Sequence, residues 1–196
     1  MMKHLALLLL IILGGVSFGC TPDAPVAVDE SSESPTASAE AEAPSEPEGK
    51  VLTSTDGTSQ ILVPEEWESA TDLNDVAILQ AEHPTEEQYV IVIQDSKEDF
   101  ADADLALHSE VTTEAIVSSL TDGSSTEPES VTINGNPALQ KEISGTIDNI
   151  NIIYLHTNVE TPTSYYQVLT WSLRSQFEDY RSNFEQVTNS FEEVGG

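Results

Sequence analysis

The sequence has few basic side chains, a single cysteine and no long apolar run. Its 196 residues include 6 Lys and Arg against 35 Asp and Glu. One cysteine excludes an intrachain disulfide. The scarcity of bases excludes the basic footprint that nucleic-acid phosphates require, so nucleic acid is not expected as a partner. The apolar run at residues 5–13 has nine residues, whereas a transmembrane helix needs about 20.

The ends of this run are typical of a secretory signal peptide. Lys3 precedes the run, and Gly14 and Gly15 follow it, shortly before Cys20. A short basic head, a short apolar segment and small residues near a cleavage site form that pattern. We therefore predict a signal peptide over residues 1–19. An uncleaved N-terminal anchor is the alternative, and the length of the run disfavours it.

The pair Gly19-Cys20 resembles the end of a bacterial lipobox. The resemblance implies that Cys20 carries diacylglycerol on its sulfur and a fatty acid such as palmitate on the new N-terminus. Two or more acyl chains give stable anchoring. This predicts a cell-membrane or outer-membrane protein that faces the periplasm or the exterior. The alternative is a secreted protein that begins with a free, oxidisable thiol.

Residues 20–50 predict a disordered acidic tether. After Cys20 the segment consists largely of Pro, Ser, Ala and acids, with no aromatic residue, Leu or Ile. Such a composition buries too little apolar surface to offset the entropy of ordering the chain. Pro35, Pro44 and Pro47 also disfavour a helix.

The rest of the chain, residues 51–196, has the length of one domain and is strongly acidic. It holds 27 acids against Lys97, Lys141, Arg174 and Arg181. A cation, a basic protein surface or a saline habitat would each suit this charge, and the spread of the acids favours habitat or solubility. The densest stretch, Asp95–Asp104, lacks the Gly and closing Glu of an EF-hand loop. We expect it to give only weak, non-selective cation screening.

Hydrophobic periodicity predicts an α+β domain with a mainly antiparallel sheet. The expected strands are 58–67, 75–82, 88–94, 130–147, 150–159 and 164–173. The strand at 130–147 is expected to bend as a hairpin at 134–135. The expected helices are 103–120 and a closing helix from residue 175, and a loop is expected at 122–128. Strands 88–94 and 150–159 are apolar on both faces, which predicts helices on both faces of the sheet.

Each predicted helix has an apolar face. On the first helix, Leu107, Val111, Ala115, Ile116 and Leu120 are expected to be buried. On the closing helix, a capping box is expected at Ser175, and the expected core residues are Phe177, Tyr180, Phe184, Val187 and Phe191.

Four stretches resemble the PsbP-like fold and, within it, the DcrB-like bacterial lipoproteins. They are ILVPEEW (61–67), YVIVI (89–93), INGNPA (133–138) and the closing strand and helix, 165–191. The resemblance implies an α/β/α sandwich and a non-enzymatic role.

Motifs for catalysis, cofactor binding or zinc binding are missing from the sequence. His83, His108 and His156 have no second ligand at metal spacing, and each is expected to be a surface or hydrogen-bonded histidine. We therefore predict no catalytic, cofactor or metal residue. The favoured function is a non-catalytic protein-interaction domain tethered to the envelope membrane. A divalent-cation-binding accessory protein and an uncharacterised hydrolase remain as alternatives.

Overall fold

The structure, a computed structural model, describes residues 49–100 and 103–194. Within these ranges the chain forms eleven strands and two helices. They are β1 (Lys50–Thr53), β2 (Ser59–Val63), β3 (Glu68–Ser69), β4 (Leu79–Glu82), β5 (Gln88–Ser96), α1 (Leu105–Ser119), β6 (Thr121–Ser125), β7 (Glu129–Ile133), β8 (Asn136–Ile147), β9 (Ile150–Glu160), β10 (Ser164–Leu173), α2 (Phe177–Asn189) and β11 (Glu192–Glu193). No helix in the described ranges is long and apolar enough to cross a membrane. Cys20 and nearly all of the predicted tether lie outside these ranges.

Eight of the strands form one antiparallel sheet. Its order is β3-β4-β5-β10-β9-β8-β6, and β7 also pairs with β8. A second sheet has the order β1-β2-β11. The predicted hairpin is confirmed, because Asn134 and Gly135 take positive φ angles of 46° and 83° between β7 and β8. Asn and Gly accept this backbone at little steric cost, so a two-residue turn forms there. The α+β class and the mainly antiparallel sheet are confirmed.

The first hydrophobic cluster includes the closing helix. Phe177, Phe184, Val187 and Phe191 are fully buried, and Tyr180 packs against the cluster as a half-buried neighbour. The predicted apolar face of this helix is therefore confirmed. Its predicted start is wrong, because the N-cap is Gln176 and no side chain caps the helix.

The second hydrophobic cluster includes the last turn of α1. Ile116 and Leu120 pack with strand residues such as Ile143 and Leu169. Gly145 on β8 permits this contact, since a Cβ there would lie 2.7 Å from the Cβ of Leu120. The end of α1 therefore lies very close to the sheet.

The first part of α1 differs from the prediction. Leu107 is 46% exposed and Val111 is 41% exposed, although both were expected in the core. The buried residues of the helix are His108, Ser109, Thr112, Thr113 and Ile116. The reason is that the sheet beneath this part of the helix presents polar side chains.

The segment after α1 also differs from the prediction. The expected loop over 122–128 is largely strand β6, which pairs with β8. Its side chains are mostly exposed and polar, so hydrophobic periodicity gave no signal. Strand β6 is held by backbone hydrogen bonds at the edge of the sheet.

Candidate functional site: a polar interface beneath the first helix

Polar side chains from α1 and from three strands meet between the helix and the sheet. We call this set the polar interface: His108, Ser109, Thr112 and Thr113 from α1, Asp95 from β5, His156 and Asn158 from β9, and Gln167 from β10. All of these residues are buried except Asp95, whose side chain is 23% exposed. Asn158 lies opposite Gln167 in the β9–β10 register, so strand pairing places their side chains together.

His108 and Gln167 both bind the carboxylate of Asp95. Nε2 of His108 lies 3.1 Å from Oδ2 of Asp95, and Nε2 of Gln167 donates to the same oxygen at 2.8 Å. A carboxylate only accepts hydrogen bonds, so a neutral His108 carries its proton on Nε2. Nδ1 of His108 has no hydrogen-bond partner among residues 49–100 and 103–194.

His156 and Asn158 join β9 to the middle of α1. The amide of Asn158 donates to Nε2 of His156 at 3.2 Å, and its oxygen lies 3.2 Å from Oγ1 of Thr112. Thr113 approaches Nδ1 of His156 at 3.4 Å. Complete burial lowers the pKa of His156 to about 3, against the opposing effect of a hydrogen bond with the side chain of Gln167. His156 is therefore neutral near pH 7, and its two nitrogens act in hydrogen bonding.

An aromatic column connects the polar interface to the protein surface. The ring of His108 stacks on Tyr165 with centroids 4.4 Å apart, and Phe100 meets His108 edge-on at 5.3 Å. The ammonium of Lys97 lies 5.0 Å from the centre of the Tyr165 ring and 2.7 Å from Glu160. Lys97 is thus engaged by an aromatic ring and by a carboxylate.

Lys97 also lines an open groove at the end of β5. The groove has a volume of about 670 Å³ and is lined by Gln94, Ser96, Lys97, Glu98, Asp99, Pro162, Thr163 and Ser164. Gln94 donates to Tyr166 at 3.0 Å, and Tyr166 donates to Glu193 at 3.0 Å. Burial, together with Glu193, raises the pKa of Tyr166 to about 12. The groove wall is therefore tied to the last strand, β11.

The acidic stretch 95–104 is divided among three locations. Asp95 belongs to the polar interface, and Glu98 and Asp99 line the groove. Asp104 caps α1, because its carboxylate accepts from the backbone N–H of Leu107 at 2.8 Å. Asp102 lies outside the described residues. Within those residues, no three Asp, Glu, His or Cys side chains form a group that could hold a metal ion.

The structure locates each histidine considered in the sequence. His83 is half-buried in a turn, where Nδ1 accepts from the backbone of Thr85 and Glu86 at 3.3 and 3.0 Å. His108 and His156 are buried in the polar interface. A His–Asp pair can orient a general base. The side chain of His108, however, is 0% exposed, and its ring is stacked on Tyr165. The observed pair fastens α1 to β5.

Sequence reasoning missed most of the polar interface. Asn158 and Gln167 lie in strands whose apolar neighbours dominate the periodicity. The available signal was the spacing in α1, where His108, Ser109, Thr112 and Thr113 recur with the i, i+4 period of a single helix face. The prediction followed the apolar residues instead and placed the buried face of this helix on the row that includes Leu107 and Val111.

Several solved structures share the fold of this chain. Cyanobacterial PsbP (CyanoP) from Synechocystis sp. PCC 6803 is 13% identical with a TM-score of 0.56, covering 74% of this chain and 92% of that chain. LpqN, described as involved in cell envelope biogenesis of Mycobacterium tuberculosis, is 12% identical with a TM-score of 0.53, covering 72% and 88%. PA94 from Pseudomonas aeruginosa, described as a protein of unknown function and a putative regulator, is 10% identical with a TM-score of 0.51, covering 76% and 100%.

These likenesses show a PsbP-like fold, as the resemblance in sequence implied. At such low identity they show the fold alone. No protein-family model and no curated protein matches the chain.

Proposed function

We propose that this chain is a lipid-anchored envelope protein whose PsbP-like domain binds a protein partner without catalysing a reaction. In this proposal Cys20 carries the lipid, and residues 21–50 tether the domain to the membrane. The proposal includes membership of the DcrB-like lipoproteins. The observation that carries the non-catalytic role is the polar interface, in which the charged and ionisable side chains beneath α1 hold the helix on the sheet.

The two clusters support an α/β/α sandwich as part of this proposal. Val168 and Leu169 are consecutive on β10 but belong to different hydrophobic clusters. Successive side chains of a strand point to opposite faces of the sheet. Residues of α2 join the cluster of Val168, and residues of α1 join that of Leu169. We infer that the helices cover opposite faces, so that a partner meets helix surfaces and sheet edges.

The burial of the histidines supports a structural role for them. His108 contacts Asp95 on β5 and His156 contacts Thr113 on α1, and His156 is neutral at physiological pH. A general base needs a nitrogen that can reach a substrate. In this fold both rings are buried between α1 and the sheet, out of reach of a substrate in solvent.

The sequence before the domain supports the location. Cys20 follows the signal-like segment, and the long acidic tether would let the domain reach away from the membrane. LpqN, one of the structural neighbours, is described as an envelope-biogenesis protein. An acidic domain would be repelled by anionic headgroups, which favours a tethered position over direct contact with the membrane surface.

Crosslinking in cells tests the proposed function. The full chain and its Cys20→Ser variant are expressed at equal levels, the cells are treated with a lysine-reactive crosslinker, and the bound proteins are quantified. We expect the full chain to fractionate with membranes and to enrich one partner. The variant should be depleted from the membrane fraction and should capture much less of that partner. A purified full chain that turned over an ester, amide or phosphoester substrate, with activity lost in His108→Gln, would overturn the non-catalytic assignment.

A further inference from the structure

We propose that the solvent-facing side of α1 is the docking surface of this domain and that it receives a basic amphipathic helix of a partner protein. The inference rests on the proposed function and adds to it the surface and the chemistry of the partner. We call Leu107, Glu110, Val111 and Glu114 the α1 docking face.

Apolar exposure is concentrated on this helix. Four large apolar side chains are exposed among the described residues, and two of them, Leu107 and Val111, lie on α1. They are four residues apart, so they lie one turn apart on the same side of the helix. A helix-in-groove or helix-on-helix contact uses apolar anchors at this spacing. Single exposed apolar residues need no explanation, whereas adjoining ones form the kind of apolar patch that a partner can cover.

In the first part of α1, polar side chains face the sheet and apolar side chains face solvent. The helix directs His108, Ser109, Thr112 and Thr113 inward while Leu107 and Val111 face solvent. Folding alone favours the opposite arrangement, because apolar burial stabilises and each buried polar group must find a hydrogen-bond partner. Residue choices that work against folding are expected at functional or strained sites. The structure satisfies most of the buried polar groups through the polar interface, which leaves the apolar pair available outside.

The charge of the docking face defines the partner. Glu110 and Glu114 are exposed and lie one turn apart beside the apolar pair. Helix α1 contains no Lys or Arg. A partner helix with Lys or Arg beside its own apolar row would bury Leu107 and Val111 and pair with both glutamates.

The same charges disfavour two other occupants. A second copy of this chain would bring another acidic domain, and two of its cations are already committed, Lys97 to Glu160 and Arg181 to Glu142 and Glu178. An anionic lipid surface would be repelled for the same reason. Charge complementarity therefore points to a basic protein segment.

A defined peptide tests the surface. The full chain is held in nanodiscs of zwitterionic phosphatidylcholine, with empty nanodiscs as the blank. The probe is a fluorescein-labelled 14-residue amphipathic helix of Leu and Lys, and its control is a scrambled peptide of the same composition. We expect the amphipathic peptide to bind about tenfold more tightly, because only it aligns apolar and basic rows.

Matched variants separate docking from general attraction. Val111→Ser and Leu107→Ser should each weaken binding of the amphipathic peptide about threefold to tenfold, through loss of a buried apolar contact. Val51→Ser is the control, because Val51 is 56% exposed on β1 and lies outside the docking face. It should leave binding unchanged. Circular dichroism of each variant should match the wild type.

Three outcomes would overturn the docking face. They are equal binding of the scrambled peptide, equal losses for Val51→Ser and Val111→Ser, and a dimer in sedimentation that Leu107→Ser dissolves. A partner that Val111→Ser captures at the wild-type level would also refute this surface while leaving the proposed function in place. Failure to enrich any partner with the wild-type chain would count against the proposed function itself.

Discussion

Truncation of Phe184 tests the core that supports α2. Phe184 is fully buried, and its ring lies 5.6 Å from that of Phe177 and 6.4 Å from that of Tyr180. Loss of a buried Phe side chain removes about 1.5–3 kcal/mol of transfer free energy, and lost aromatic contacts add about 0.5–1.5 kcal/mol per pair. Together with the cavity that remains, we expect Phe184→Ala to lower the free energy of unfolding by about 3–5 kcal/mol.

The assay is urea unfolding followed by tryptophan fluorescence, with thermal melting as a second measure. For a domain of this size the expected loss corresponds to a drop in Tm of about 6–20 °C. Glu185→Ala is the matched control, because Glu185 is the exposed neighbour of Phe184 on the same helix. It should change the unfolding free energy by less than about 0.5 kcal/mol. A loss below about 1 kcal/mol for Phe184→Ala would refute the buried position of this helix face.

Three further predictions concern protonation, the tether and cations. Burial lowers the pKa of His156 to about 3, so the stabilisation from the neutral ring should be complete above the unfolded-state pKa of about 6.5 and be lost as the pH falls towards 3. Over that pH range the free energy of unfolding in urea should fall more for the wild type than for His156→Gln. Parallel pH profiles of the two proteins would contradict this. Removal of residues 21–48, which spares β1, should leave the Tm unchanged, and a fall of several degrees would mean that the tether docks on the domain. Stability should rise smoothly with NaCl, and Ca²⁺ at fixed ionic strength should add little; a saturable Ca²⁺ stabilisation abolished by Asp99→Asn/Asp102→Asn would favour the cation-binding alternative.

Strand β5 and the closing helix α2 were predictable because a single physical signal dominates each of them. Val90 and Val92 alternate with Ile91, so β5 is apolar on both faces, and this pattern predicts a central strand. The row from Phe177 to Phe191 has the period of a helix and carries most of the aromatic residues of its cluster. Asn134-Gly135 specifies its turn through the backbone angles that these two residues tolerate.

The buried face of the first helix was predicted wrongly because its polar face, and not its apolar face, packs on the sheet. Leu107 and Val111 suggested a buried row, yet the sheet beneath the helix presents Asp95, Asn158 and Gln167, and it is the polar face of α1 that packs there. Those partners come from β5, β9 and β10, and only the strand register brings them together. A pattern confined to one helix cannot reveal which face will find hydrogen-bond partners, so the polar interface emerged only with the fold.

The N-terminus of the mature protein tests the central claim of lipid anchoring most directly. The protein is extracted from membranes of the cells that make it, digested, and its N-terminal peptide is analysed by mass spectrometry. The account predicts a peptide that begins at Cys20 and carries diacylglycerol on sulfur and an acyl chain on the amine. A peptide that begins at Met1, or an unmodified Cys20, would contradict it.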